Sequence, residues 1–370
     1  MKKLTKQDIE DILNGCTILG TGGGGDLAEG YEYIDEALDQ GKEFILVDVD
    51  EVPDEALICT PYLLGSISPL AGKEEKQYER LPRSKEKPIL QAFKRLEKYT
   101  GKKFYGAISC EMGGANTAVA FYVAAMMGGY IINADPAGRA VPEITHSTYY
   151  INGLPVAPIV MVNEFGECAI IENVIDDQRA EDLVRALAMV SKNDISAIDH
   201  ALEMKELRNA IIKDTTSYAL ALGQVFREAR QNGLDVAEKV AETGNGFVAF
   251  RGQVKACDWK TESGFTIGNV VIKGVGRYQD HEYKIDYKNE HMVTRLDNKI
   301  HCTIPDLICL FNLDTQKPIT NPNHKIEMKV AVVILPAPKE FLTEKGLQAF
   351  GRRYPGLSTD SQLARDMLKK

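Results

Sequence analysis

The chain has 370 residues, 44% of them hydrophobic and 26% charged, with a formal net charge of −9. That profile describes a globular protein long enough for two ordinary domains, and it excludes a disordered chain. It also argues against nucleic acid as the main partner, because no long basic stretch offsets the negative balance. The longest apolar run near the middle, Thr117 to Gly129, is too short to span a bilayer. Behind the lysines of Met1 to Asp8 lies no apolar core, so no signal peptide is expected. Seven cysteines (Cys16, Cys59, Cys110, Cys168, Cys257, Cys302, Cys309) are scattered, with no Cys-x-x-Cys pair. Reduced thiols in a cytoplasm suit that pattern better than a disulfide frame.

In chain order, the first signal is Leu19-Gly20-Thr21-Gly22-Gly23-Gly24-Gly25-Asp26. Five glycines in six positions cannot hold a regular element, but they let backbone approach a ligand closely. Cys16 to Leu19 is the only strand candidate before the run; a helix from Asp26 to Gln40, stopped by Gly41, and a strand from Phe44 to Val49 follow. Gly20, Gly22 and Gly25 match G-x-G-x-x-G, with Asp48 as a ribose partner lying further on than usual. A carboxylate or other small anion on the loop, or a tight turn with no ligand, fits as well. No Gly-Lys-Ser/Thr follows the glycines and no G-x-S-x-G is present, which disfavours a P-loop and the ordinary α/β-hydrolase.

Ala56 to Thr60 reads as a short buried strand, with Leu64-Gly65-Ser66 as a turn after it. Residues 73–100 are charged and helical in part, broken by Pro82 and Pro88. Phe104 to Cys110 reads as a strand, Glu111 to Ala115 as a loop, and Ala118 to Met127 as a helix capped by Asn116 or Thr117. Tyr130 to Ala134 is the next strand. A βαβ unit of this kind implies a parallel sheet with its ligand at the strands' carboxyl ends, which brings Glu111, Asn116 and Asp135 to one rim.

Beyond it, Asn152-Gly153 predicts a hairpin between Tyr149–Ile151 and Val156–Val162. Residues 177–231 read as largely helical, with Leu183, Leu187 and Val190 at helical spacing. After Gly244-Asn245-Gly246 the chain turns β-rich to about Leu335, and Trp259 there reads as core. The expected architecture is an α/β N-terminal domain with a mainly parallel sheet and glycine-rich loops (1–167) and an α+β, β-rich C-terminal domain (168–360).

Three polar clusters interrupt buried-looking elements. In the first, Glu111 beside Gly113-Gly114 is either a general base or a carboxylate answering a helix dipole; Cys110 beside it is read as packing rather than as a nucleophile. The second, Asp135 to Glu143, carries Arg139, which can clamp a substrate carboxylate or pair with Glu143. The third combines Asn289-Glu290-His291 with Pro305-Asp306, where acids at strand ends are commonly turn residues. The six histidines form no H-E-x-x-H or H-x-H pair. A metal site assembled from distant residues stays open, with no local spacing to support it.

Together these segments resemble the S-methyl thiohydantoin desulfurase-like family, nearly end to end. The resemblance rests on the glycine run, on Glu111–Asn116 and on Asp135–Glu143. Ser263 to Gly268, Asn289-Glu290, Pro305 to Ile308 and Phe350 to Tyr354 carry it through the second half; Met112 and Cys110 depart from the usual pattern. It implies a cytoplasmic, two-domain hydrolase-type enzyme that removes sulfur, as a thiol, from a five-membered cyclic amide or thioamide. Glu111, Asp135 and Asn116 are then the catalytic candidates. Gly22, Gly23, Gly24, Gly25, Asp26, Arg139, Glu143, Asn289 and Glu290 are the substrate-binding ones, with Arg139 orienting an acidic side arm. The expected partner is a small-molecule substrate, with neither nucleic acid nor membrane, and a homo-oligomer is compatible. The metal is unassigned and NAD is disfavoured. Two other readings stay open: a metabolite-binding or accessory subunit of a hydantoin-opening complex, and a nucleotide-dependent oxidoreductase.

Overall fold

The computed structural model describes residues 1–66, 76–357 and 363–368. Residues 73–75, the start of the charged stretch, lie outside the described residues. A helix, not the expected strand, precedes the glycines: α1 (Lys6–Leu19) runs straight into the run. Thr5 and Asp8 close a capping box at its start, and Ile9, Ile12, Leu13, Cys16 and Leu19 turn inward. The glycine run therefore joins α1 to α2 (Leu27–Asp39), with Asp26 as the N-cap of α2. The strand–turn–helix frame that gives G-x-G-x-x-G its meaning is not there.

The first sheet has the order β1 (Lys2–Lys3), β2 (Ile45–Val47), β5 (Tyr130–Ile132), β4 (Gly106–Ala107), β3 (Leu57–Gly65), β9 (Asp194–Glu203), β7 (Ile159–Val162), β8 (Cys168–Ile171). Its four central strands, β2, β5, β4 and β3, are parallel, and the outer strands join antiparallel. The βαβ unit is present: β4 leads into α4 (Gly114–Met127), and β5 returns parallel. Residues 114–125 of α4 are all buried, as befits a helix apolar all round. Alongside α4 in the first half lies α3 (Pro88–Thr100), with proline in its first turn. A short pair, β6 (Ala134–Asp135) with β10 (Ile212–Lys213), extends the rim beyond β5.

The second sheet is wholly antiparallel. Its order is β15 (Lys299–Thr303), β14 (Glu290–Leu296), β13 (Glu282–Lys288), β12 (Phe265–Gly274), β11 (Phe247–Glu262), β18 (Lys329–Leu335), β16 (Leu307–Asn312), β17 (Lys317–Pro318). Trp259 is 45% exposed rather than core, because the far end of the long β11 runs past the packed part of the sheet.

Two further segments differ from expectation. Residues 148–152 form a helical turn, with Ser147 as N-cap and Gly153 at φ +69 closing it, so the Asn-Gly pair ends a helix instead of making a hairpin. The stretch read as one helical section divides into a helix (Asp177–Met189), β9, and a helix (Thr215–Gln231). In the first of these helices Ala180, Val184 and Ala188 face inward, while Leu183 and Val190 are exposed. Among the described residues no helix is long and apolar enough to cross a membrane, and all seven cysteines are free.

The helix Thr215–Gln231 lies hard against α1. A Cβ on Gly15 would stand 1.9 Å from the Ala219 carbonyl oxygen, and one on Gly223 would stand 1.7 Å from that of Asp11. Gly15→Ala and Gly223→Ala should each lower stability by about 1–3 kcal/mol through overpacking against backbone, read as a shift of the urea midpoint.

Candidate functional site

At the carboxyl ends of β3 and β4 the chain encloses a cavity of about 260 Å³. That is below the roughly 300–1,000 Å³ of pockets for drug-sized ligands and suits a small metabolite. Its walls come from the end of β3 (Thr60–Gly65), the loop after β4, the start of α4, residues 141–144, β9, and the Asn289-Glu290 turn of the second domain.

Glu111 lies in the β4–α4 loop and is buried. Its Oε1 accepts from Asn116 Nδ2 at 2.7 Å and its Oε2 from the Val141 amide at 2.7 Å. Asn116 is fixed in turn by the Leu63 amide, which donates to its Oδ1 at 2.8 Å. Burial pushes the Glu111 carboxyl up to about 7, against the pull of these donors and of Arg139. Glu290 arrives from the second domain, also buried and lining the cavity. Burial, and then the charge of Glu111, drive its pKa well above the usual carboxylate range, and Arg139 opposes them. Oε2 of Glu290 has no hydrogen-bond partner among the described residues. Both carboxyls therefore hold a proton more readily than exposed ones, and an ionised Glu111 favours the protonated form of Glu290.

The other expected site residues have different placements. Asp135 does not line the cavity; its Oδ2 accepts from the Ala137 and Gly138 amides at 2.9 and 2.7 Å. Burial raises it to about 7. Arg139 is fully buried and cannot clamp a substrate, because all five of its N–H groups are occupied. Nε donates to the Ala140 carbonyl, one terminal nitrogen to those of Pro305 and Asp306, and the other to Thr21 Oγ1 and the His291 carbonyl. Nor does it pair with Glu143, whose Oε1 accepts from Lys288 Nζ at 2.7 Å and the Tyr354 hydroxyl at 2.5 Å. Asn289, at φ +56, is a turn residue whose Oδ1 accepts from the Thr266 amide, although it reaches the cavity wall.

Of the glycine run, Gly24, Gly25 and Asp26 line the cavity; Gly22 and Gly23 pack against the second domain. A Cβ on Gly23 would stand 1.8 Å from Glu290 Oε1, so no side chain fits there without displacing that carboxylate. The Gly24 carbonyl accepts from the Ala115 and Asn116 amides, and Asp26 accepts from the Ala28 amide. The Ala115 and Asn116 amides of α4 and the Ala28 amide of α2 are thus taken up inside the protein and are not offered to an anion. Cys110 lines the cavity, but burial and then Glu111 hold its thiol well above its usual pKa, so it is no ready thiolate. Among the described residues no three His, Cys, Asp or Glu side chains are grouped to hold a metal.

Two groups escaped the sequence reading. Asp199 and His200, in β9, line the cavity as a hydrogen-bonded pair. Arg185 also lines it, paired with Glu181 at 2.6 Å and stacked over Phe265. Both came from the stretch read as helical; Ile195, Ile198 and Leu202 fall at helical spacing, so nothing local marks β9 as a strand.

The cavity, with ionisable side chains at the carboxyl ends of parallel strands, lies where α/β sheets commonly place their ligand crevice. The chain belongs to the S-Me-THD-like family, the S-methyl thiohydantoin desulfurase-like proteins. Residues 7–173 match its N-terminal domain and 175–363 its C-terminal domain. A crystal structure of a protein from Chromobacterium violaceum has the same fold, with a TM-score of 0.78 and 22% identity, over 97% of this chain and 98% of that one. Among curated proteins none matches.

Asp135 yields a test that separates it from the cavity. Its folded pKa, about 7, is raised above an ordinary carboxyl, so it weakens the fold progressively as pH rises from about 4 through about 7. Asp135→Asn keeps an oxygen for both amides and removes that loss. Urea unfolding at pH 8 should find the variant more stable, by on the order of 2–4 kcal/mol, with the difference fading by pH 4.

Proposed function

We propose that this protein is a hydrolase-type enzyme acting on a five-membered cyclic amide or thioamide, of the hydantoin or S-methyl thiohydantoin class. The family's name supports the substrate class, and the size of the cavity suits such a ring. The observation that carries the reading is the Glu111–Glu290 pair: two buried carboxyls, one from each domain, that line one cavity, with an ionised Glu111 favouring a proton on Glu290.

Such a pair suits addition of water across the C=N bond of an S-methyl thiohydantoin. Ionised Glu111 takes a proton from water as the oxygen bonds to the carbon bearing sulfur. The π electrons move to the ring nitrogen, which takes the proton of Glu290. Afterwards Glu111 carries the proton and Glu290 does not, so the pair still holds one. Asn116 keeps Glu111 aimed. Collapse of the adduct then expels the thiol and leaves the ring carbonyl. Asp135, away from the cavity, has no part in this scheme.

Purified protein should release thiol from S-methyl thiohydantoins in a panel that also contains hydantoins and 2-thiohydantoins, run with and without a chelator. On the acid side, kcat/KM should rise as pH passes about 7, where Glu111 ionises. Glu111→Gln should lower turnover about 10²–10⁴-fold while Asp135→Asn keeps it. A folded protein inactive on every ring would shift the reading to the metabolite-binding or accessory role.

A further inference from the structure

His200 sits in a strand yet has φ +41, in the left-handed region that a non-glycine residue enters only at a cost. The cause is a bulge: Ile58 pairs with Leu202 and Thr60 with Asp199, so His200 and Ala201 together oppose Cys59. The distortion places Asp199 and His200 side by side on the cavity wall. Asp199 Oδ1 lies 2.7 Å from His200 Nδ1, and the Tyr62 hydroxyl donates to Asp199 Oδ2 at 2.9 Å. The imidazole packs on Tyr149, ring centroids 4.3 Å apart. With Nδ1 engaged, Nε2 is buried and has no partner among the described residues. A carboxylate that fixes the tautomer of a cavity-lining imidazole, itself held by a second donor, is an arrangement suited to proton transfer. His146, His291 and His324 also have a buried nitrogen without a partner among the described residues, but of these histidines only His200 lines the cavity.

We propose that His200, oriented by Asp199 and Tyr62, is a catalytic proton-transfer residue for the second half of the reaction, the collapse of the water adduct. This rests on the hydrolase reading above. In the adduct the ring carbon carries a hydroxyl and the S-methyl group. The hydroxyl proton first passes to His200 Nε2; as the oxygen then forms the carbonyl and the C–S bond breaks, the imidazolium beside Asp199 gives that proton to the departing sulfur, yielding the thiol and neutral His200. Atoms and charges balance with no further reactant, and the carboxyl pair is untouched. Glu111 and Glu290 serve addition, and His200 serves expulsion.

The test is leaving-group dependence. A thiolate that is stable without a proton needs no acid, so loss of His200 should harm an S-methyl substrate far more than an S-(4-nitrophenyl) analogue. His200→Asn is the variant of choice, since asparagine tolerates positive φ. Expected is a loss of kcat of about 100-fold or more on the S-methyl ring and under about tenfold on the S-aryl ring. Asp199→Asn should show the same ordering with smaller losses, and it stands in if His200→Asn does not fold. Equal losses on both rings, or none, in a folded variant would overturn the role of His200 and leave the hydrolase reading intact. A wild-type protein inactive on both rings would overturn the hydrolase reading, and the role of His200 with it.

Discussion

The guanidinium of Arg139 is the interaction on which the rest of the structure depends. It is wholly buried, and its five donors reach the glycine run at Thr21, the Pro305-Asp306 turn, His291 and the neighbouring Ala140 carbonyl. Burial lowers its pKa to about 10, so it is still a cation at neutral pH. A buried charge of this kind survives only when its hydrogen bonds are complete, and here they are completed by both domains. The same cation draws down the pKa of both Glu111 and Glu290. It thus fixes how the domains meet and helps decide how many protons the carboxyl pair holds. It does so from behind the wall, without reaching the ligand space.

The glycine run serves the same junction. Its small residues let Gly23 lie against Glu290 Oε1 and Gly24 against Gly113, where a Cβ would stand 1.8 and 2.4 Å from those partners. Close backbone approach is the property first inferred for these glycines, but what approaches is the second domain and the start of α4 rather than a nucleotide. Gly24 and Gly25 still form cavity wall. The loop is at once a hinge-free joint and one side of the site.

Where the sequence was legible, a local signal agreed with the packing. The helix after the glycine run, the βαβ unit around α4, and Glu111 and Asn116 on one cavity are of that kind, whereas Asp135, expected on the same rim, stands off the cavity. Where it was not, the deciding contact was distant or a local cue was outweighed. The strand assigned to Cys16–Leu19 ignored the Thr5–Asp8 capping box, a readable helix start. Asn152-Gly153 looks the same as a hairpin turn or a helix end, and only the Ser147 cap separates the two. The role of Arg139 was out of reach, since its main acceptors lie more than 150 residues further on. His200 was hidden because its strand was read as helix, and a lone histidine without a neighbouring ligand pattern carries no local mark of its partner.

One consequence joins these points. Glu111 and His200 are held by the first sheet, whereas Glu290 stands at the first position of β14 in the second. Only the carboxylate that bears the high pKa crosses the junction, and it crosses where Gly23 and Arg139 close it. In a loosened junction Glu290 would meet water and its pKa would fall. The parallel sheet supplies the usual crevice for a ligand. The second domain, by burying Glu290 at the junction, supplies the surroundings in which that carboxyl keeps its proton more readily. Chemistry in this cavity and docking of the two domains are therefore one property of the chain, set by the same few contacts.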